Sequence, residues 1–169
     1  MEHFSVYCLK YADSCISESM VFSIGDVLKS IPITFTFYLI KAQNRNILID
    51  VGCDSMPDFK MKCFYSPPFV LRQADISADE VTDVILTHAH HDHIAALDRF
   101  SGATLWIQEE EYKKGGKYIP SSMRVRTFVH SASPTKGILI KRIGGHSIGS
   151  SIVLADGGEK TLLFCGDEC

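Results

Sequence analysis

The 169 residues carry 17 Lys and Arg against 20 Asp and Glu, a formal charge of −3 with a sequence pI near 6.1, which leaves little basic surface for gripping nucleic acid. A 46% hydrophobic composition suits one folded domain, which at this length buries roughly 70% of the surface its unfolded chain exposes, and it excludes disorder and collagen-like repeats. The stretch Ile31 to Ile40 is interrupted by Pro32, Thr34 and Thr36 and falls far short of the ~20 residues of a membrane helix. The chain therefore reads as soluble, with no membrane partner. Met1 to Lys10 lacks the basic start, apolar run and small-residue cleavage site of a secretory signal, so a cytoplasmic location is expected.

In chain order, Phe4 to Tyr11 and Ile33 to Lys41 are rich in β-branched and aromatic residues with partial alternation, and both predict strands. Asn46 to Val51 predicts a third, so the front of the chain reads as a β-meander. The polar, irregular Asp13 to Ser30 predicts a loop, as does Gly52 to Ala74, where Pro67-Pro68 argues against regular structure. Whether Phe64, Tyr65 and Phe69 of that second loop line a pocket or pack the loop down stays open. Ser77 to Glu80 has the spacing of a capping box opening a short helix, and Asp83 to Thr87 predicts a buried strand. Asp92 to Phe100 suits a helix, Ala103 to Ile107 a strand and Gln108 to Lys114 a charged helical turn. Ile138 to Ile143, Ser150 to Ala155 and Lys160 to Cys165 predict three more strands, the last two joined by Asp156-Gly157-Gly158. The six cysteines contain no C-x-x-C pair and read mostly as reduced, buried small hydrophobes.

Four of the seven histidines fall within Thr87-His88-Ala89-His90-His91-Asp92-His93. At the end of a strand, side chains at i and i+2 share a face, so His88 and His90 can both present imidazole to one metal ion. The turn that follows points Asp92 and His93 towards a second position. A solvated polar turn is the bland alternative, but it gives no reason to set four imidazoles directly after a buried strand. Gly144-Gly145-His146-Ser147 and Phe164-Cys165-Gly166-Asp167 each place one more ligand type directly after a glycine that follows a predicted strand.

The H-x-H-x-D-H run at His88 to His93, Gly145-His146-Ser147, Gly166-Asp167 and the strand Ile47 to Gly52 with Asp50 occur in the order found in the metallo-β-lactamase superfamily, which the sequence resembles from about Phe4 onward. The resemblance implies an α+β fold, a four-layer αββα sandwich. It also implies a ligand set: His88, His90 and His146 on a first metal, Asp92 and His93 on a second, and Asp167 bridging both. A final histidine that the family places after a further strand and helix has no counterpart here. The second position is accordingly expected to lack one protein ligand, and the sandwich to be incomplete at the C-terminus. His3 and His130 are spare imidazoles without the family context.

The chemistry so implied is hydrolysis by a metal-bound hydroxide, with one ion polarising the substrate oxygen. Asp92 is the expected catalytic residue, suited to ligating the second ion and to holding the attacking hydroxide. A nitrogen and oxygen ligand set without thiolate suits zinc, with Mn or Fe as alternatives. Asp50 suits a role in orienting the histidine loop, alongside the plainer one of ending a strand. The Asp13 to Ser30 insertion and Phe37 to Ile40 are similar to the N-acyl homoserine lactone hydrolases of the superfamily, which implies lactone or ester hydrolysis of a small molecule. Thioester hydrolysis of the glyoxalase II kind, suggested by Leu162 to Asp167, is the alternative, as is an inactive or truncated member. In that last case a partner or the second chain of a homodimer would supply the absent elements against Ile152-Val153-Leu154 and Leu162-Leu163-Phe164.

Overall fold

A computed structural model describes residues 4–42, 44–58 and 60–168; His3 and Cys169 lie outside them. β1 (Ser5–Ser17) and β2 (Ser30–Ala42) form a long antiparallel hairpin, and β2 pairs in turn with β3 (Arg45–Ile49). From β3 onward the pairing becomes parallel through β4 (Asp83–Ile85), β5 (Thr104–Gln108) and β6 (Arg124–Phe128), completing a six-stranded sheet in chain order. The second sheet is four-stranded and antiparallel, with β7 (Ser131–Ala132), β8 (Ile138–Arg142), β9 (Ser151–Asp156) and β10 (Thr161–Phe164) side by side.

Alternation along the strands sorts the core into two layers, because successive side chains of a strand point to opposite faces. Ile47, Ile49 and Ile85 of the first sheet meet Ile138, Ile140, Val153, Ala155 and Phe164 of the second, so the sheets pack face to face. Their neighbours Leu48, Val84 and Leu105 face the other way. There they are covered by α1 (Pro67–Arg72), α2 (His91–Ile94) and the 3₁₀ turn Leu97–Phe100, which contribute Leu71, Ile94, Leu97 and Phe100. Cutting a fully buried side chain such as Ile85 to Ala costs about 2–5 kcal/mol. The far side of the second sheet carries no helix among the described residues. Leu139, Leu154 and Leu163 stand in register across it, with Leu139 and Leu163 exposed. Val153 and Phe164, expected on this open surface, instead face the core between the sheets.

Several local expectations are corrected. Pro67-Pro68 opens α1 rather than forbidding it, since the first turn of a helix needs no amide from those positions and the ring presets φ. β1 and β2 extend to Ser17 and from Ser30, leaving only residues 18–29 as the tip of the hairpin. Asp92 to Phe100 is not one helix but α2 followed by a 3₁₀ turn. Of the described cysteines Cys53 alone is buried, against the Tyr11 hydroxyl and Met56; Cys8, Cys15 and Cys63 are exposed, and all are free thiols.

Candidate metal centre

The side chains singled out by the sequence gather where the C-terminal ends of β3 and β4 meet the β8–β9 loop and the residues after β10. β3 is followed by Asp50, whose amide donates to the Ile85 carbonyl (2.8 Å) and whose backbone is left-handed, at φ 61°. Asp tolerates this region better than most residues, and the turn aims its carboxylate across the end of β4. There Asp50 accepts the Thr87 amide (2.8 Å), the Thr87 hydroxyl (2.8 Å) and His93 Nδ1 (2.8 Å). Because the Thr87 hydroxyl gives its proton to Asp50, its oxygen accepts from His88 Nδ1 at 3.1 Å. That fixes the proton of His88 on Nδ1 and leaves Nε2 with a free lone pair, an arrangement typical of ligating imidazoles.

His88 Nε2 lies 3.1 Å from His90 Nδ1, which is itself 2.8 Å from His146 Nε2. These three nitrogens form one group of potential ligands, and His88, His93 and Asp167 form another, so His88 belongs to both. His93 Nε2 is 3.2 Å from Asp167 Oδ1, and Asp167 Oδ2 is 3.5 Å from His146 Nε2 and 3.9 Å from His88 Nε2. Asp167 thus lies between the two groups. Asp92 sits in the first turn of α2 with a carboxylate oxygen 3.7 Å from His93 Nε2, but it joins neither compact group. His130 is exposed and belongs to neither group.

The donor chemistry fits a metal ion. Zn–N bonds of about 2.0–2.1 Å in a tetrahedral site put ligand nitrogens roughly 3.3 Å apart, close to the separations seen here. Burial pushes the His88 pKa down to about 3, with the neighbouring charge of His93 acting the same way. Burial and then Lys114 lower that of His90, whose Nε2 faces the Lys114 ammonium at 3.2 Å. Both rings are therefore neutral; the lone pair of His88 is on Nε2, and that of His90 is on Nε2 where it accepts from Lys114, so His90 must release Lys114 and move its proton from Nδ1 to ligate through Nδ1. His93 behaves oppositely: burial opposes its charge, but the Asp50 and Asp167 carboxylates outweigh burial and raise its pKa well above 6.5. Asp167 is also opposed by burial, yet its hydrogen bond from His93 and the surrounding imidazoles hold it well below the usual carboxylate range.

Glycines shape both single-ligand loops. Gly145, at φ 112°, leads into His146, whose amide donates to Glu168 Oε1 (2.7 Å). A Cβ on Gly166 would stand 2.7 Å from Thr87 Oγ1, so glycine lets the chain after β10 approach the histidine loop and carry Asp167 in. His91, the fourth histidine of the window, has another role: Nδ1 meets the Tyr118 hydroxyl (2.9 Å) and Nε2 the Ser55 carbonyl (2.7 Å). Ser55 lines a cavity of about 310 Å³ with Asp54, Met56, Lys60, Met61 and Phe64. Phe64 therefore faces a cavity, while Tyr65 stacks on Phe69 at 5.3 Å. Sequence reasoning missed Thr87, Lys114, Glu168 and Glu111 as partners of the site; for Glu168 its adjacency to Asp167 was the available signal.

Two packed sheets with an imidazole and carboxylate cluster at their strand ends define a class of metal-binding α+β fold. Residues 36–168 match the family model of the metallo-beta-lactamase superfamily, and the chain belongs to that family. It is 28% identical over 103 residues to N-acyl homoserine lactonase AiiB of Rhizobium rhizogenes, covering 52% of this chain and 37% of that protein. Beta-lactamase-like protein 2 homolog of Drosophila melanogaster is 26% identical over 141 residues, covering 77% of this chain and 45% of its own length. The chain thus spans less than half of these curated relatives. Among solved structures, an N-acyl homoserine lactone hydrolase with N-hexanoyl-L-homoserine at its catalytic metal centre aligns with a TM-score of 0.84 at 16% identity, over 95% of this chain and 74% of the other. The dizinc quorum-quenching lactonase AidC aligns at 0.75 and 17% identity, over 95% and 70%. Likeness at that identity establishes the shared fold.

Proposed function

We propose that this chain is a zinc-dependent hydrolase that opens a lactone or ester of a small molecule, with an N-acyl homoserine lactone as the type substrate. His88, His90 and His146 would hold the first ion, Asp92 and His93 would hold the second, and Asp167 would be shared between them. The observation that carries this reading is the convergence of three ring nitrogens on one another, with His88 shared between two ligand groups. The lactonase names of AiiB and AidC support the choice of substrate class.

Bound divalent ions supply polarisation of the scissile carbonyl and acidification of the attacking water. The chain itself supplies order. Asp50 and Thr87 fix the proton positions of His93 and His88, so both Nε2 atoms face inward. Asp92, its backbone carbonyl held by the Tyr11 hydroxyl at 3.1 Å, takes the proton of the attacking water and returns it to the ring oxygen when the acyl C–O bond breaks, giving a hydroxy acid. His91 ties α2 to the loop that lines the Met56–Phe64 cavity, which links the reacting end of the site to an apolar wall.

The test is metal per chain by elemental analysis, followed by hydrolysis of N-acyl homoserine lactones and of thioesters. Lactone turnover that disappears with chelator and returns with zinc is expected. Thioester turnover without lactone turnover would move the substrate class, and a chain that takes up no zinc would remove the reading.

A further inference from the structure

Glu111 lies in α3 (Glu109–Gly115), within a Glu109-Glu110-Glu111 run that reads in sequence as a solvated helical face. Its side chain is instead buried, at 1% exposure, and among the described residues no Lys, Arg or His forms an ion pair with it. Three donors converge on its carboxylate. The Ala89 amide reaches Oε2 at 2.8 Å, while the Ser147 hydroxyl and the Gly149 amide reach Oε1 at 2.7 and 2.9 Å. Ala89 stands between His88 and His90, and Ser147 directly follows His146. One carboxylate thus spans the two segments, 56 residues apart between His90 and His146, that together provide the three-imidazole group.

The fit is specific on the loop side. A Cβ on Gly149 would stand 2.7 Å from Glu111 Cγ, so the loop reaches the carboxylate only because glycine is there. Ser150 Oγ accepts the Ser147 amide at 2.8 Å and contacts the Ser147 hydroxyl at 2.8 Å, closing the turn that presents both donors. Hydrogen bonds to a buried carboxylate are about twice as strong as neutral ones.

We propose that Glu111 is a positioning residue that sets the spacing of His88 and His90 against His146 by bonding both of their loops at once, so that metal affinity at the three-imidazole group depends on it. This rests on the reading of that group as a metal site. Glu111 touches neither metal nor substrate; it acts through the backbone of its neighbours. Replacing its carboxylate by an amide turns an acceptor oxygen into a donor nitrogen facing a backbone N–H, which must then retreat.

The test uses the full chain loaded with cobalt(II), comparing the native protein with Glu111→Gln and with Glu110→Gln, whose side chain pairs with exposed Lys113. Chelator competition gives affinity, the visible cobalt spectrum gives ligand geometry, and hydrogen exchange at the Ala89 and Gly149 amides is measured without metal. Glu111→Gln is expected to lose about 10- to 100-fold in affinity, to alter the spectrum and to speed exchange at both amides, while Glu110→Gln matches the native chain. Unchanged affinity and spectrum in a folded Glu111→Gln chain overturn the proposal, even if exchange quickens. If Glu111→Gln fails to fold, Ser147→Ala removes one of the three bonds and is expected to weaken binding less but in the same direction; no weakening overturns the proposal. If the native chain binds no cobalt, the metal reading fails by itself, and slow, unchanged amide exchange in Glu111→Gln would separately dismiss the link between the loops.

Discussion

The two ligand groups share His88 yet are held in opposite ways. In the three-imidazole group His88 and His90 are kept uncharged chiefly by burial. The group around His93 is an ion-pair cluster, with one imidazole between the carboxylates of Asp50 and Asp167. Each has a buried carboxylate on a different strand end or helix: Asp50 serves His93 through a side-chain bond, and Glu111 serves the other group through backbone amides. His88 and His90 thus meet a metal ion as uncharged rings, whereas His93 must give up a proton before it ligates.

The largest expected effect follows from the shared member. His88→Ala should empty the three-imidazole group, disturb the His93 group that it borders and abolish metal-dependent turnover, while His90→Ala should abolish turnover with the chain still folded; activity assays, circular dichroism and elemental analysis read both. Asp50→Ala comes next. It leaves the Thr87 amide and His93 Nδ1 without an acceptor in a buried site, at a cost on the order of 3 kcal/mol, or a fall of roughly 6–12 °C in melting temperature. A variant melting with the native chain would show that the His93 side needs no anchor. Asp167→Asn should lower occupancy beside His93 before that of the three-imidazole group, seen as biphasic zinc release; equal loss from both would erase the distinction.

Acidity separates the groups as well. In the metal-free chain the raised pKa of His93 means that its ion pairs contribute fully below about 6.5, its ordinary value, and are lost as pH rises through the folded value. Asp167, held low, contributes above its ordinary value of 3.8 and is lost as pH falls through its folded value. Urea midpoints of chelator-treated protein should therefore decline on the alkaline side of pH 6.5 for the native chain and less so for Asp167→Asn. The smallest effect is expected from Tyr118→Phe, which removes the His91 Nδ1 bond at about 0.5–1.5 kcal/mol and leaves metal content unchanged.

Much of this centre was legible because its ligands are local in sequence. His88, His90, Asp92 and His93 lie in one turn after a buried strand, and period-two alternation fixes which of them share a face. Asp50 was legible for the same reason, standing at the end of an apolar strand. Glu111 was not: three successive glutamates before two lysines look like a solvated helix, and only the packing of the β8–β9 loop over α3 reveals that one of them is buried. His91 stood outside the expected ligand set, and its own role was not legible because spacing cannot show that α2 turns its ring towards Tyr118. The β6 strand escaped because Arg124 and Arg126 alternate with Val125 at a sheet edge, where half the residues meet solvent. The α1 helix was not legible because Pro67-Pro68 reads as a breaker everywhere but in a first helical turn, and nothing local in the sequence marks where that turn begins.

The most direct test of the shared-ligand account is zinc per chain in protein purified without chelator or affinity tag, measured for the native sequence, His93→Ala and His88→Ala side by side. The account expects bound zinc in the native chain, retention of the three-imidazole ion in His93→Ala, and less zinc in His88→Ala than in His93→Ala. A native chain without zinc, or His88→Ala retaining as much as His93→Ala, would contradict it.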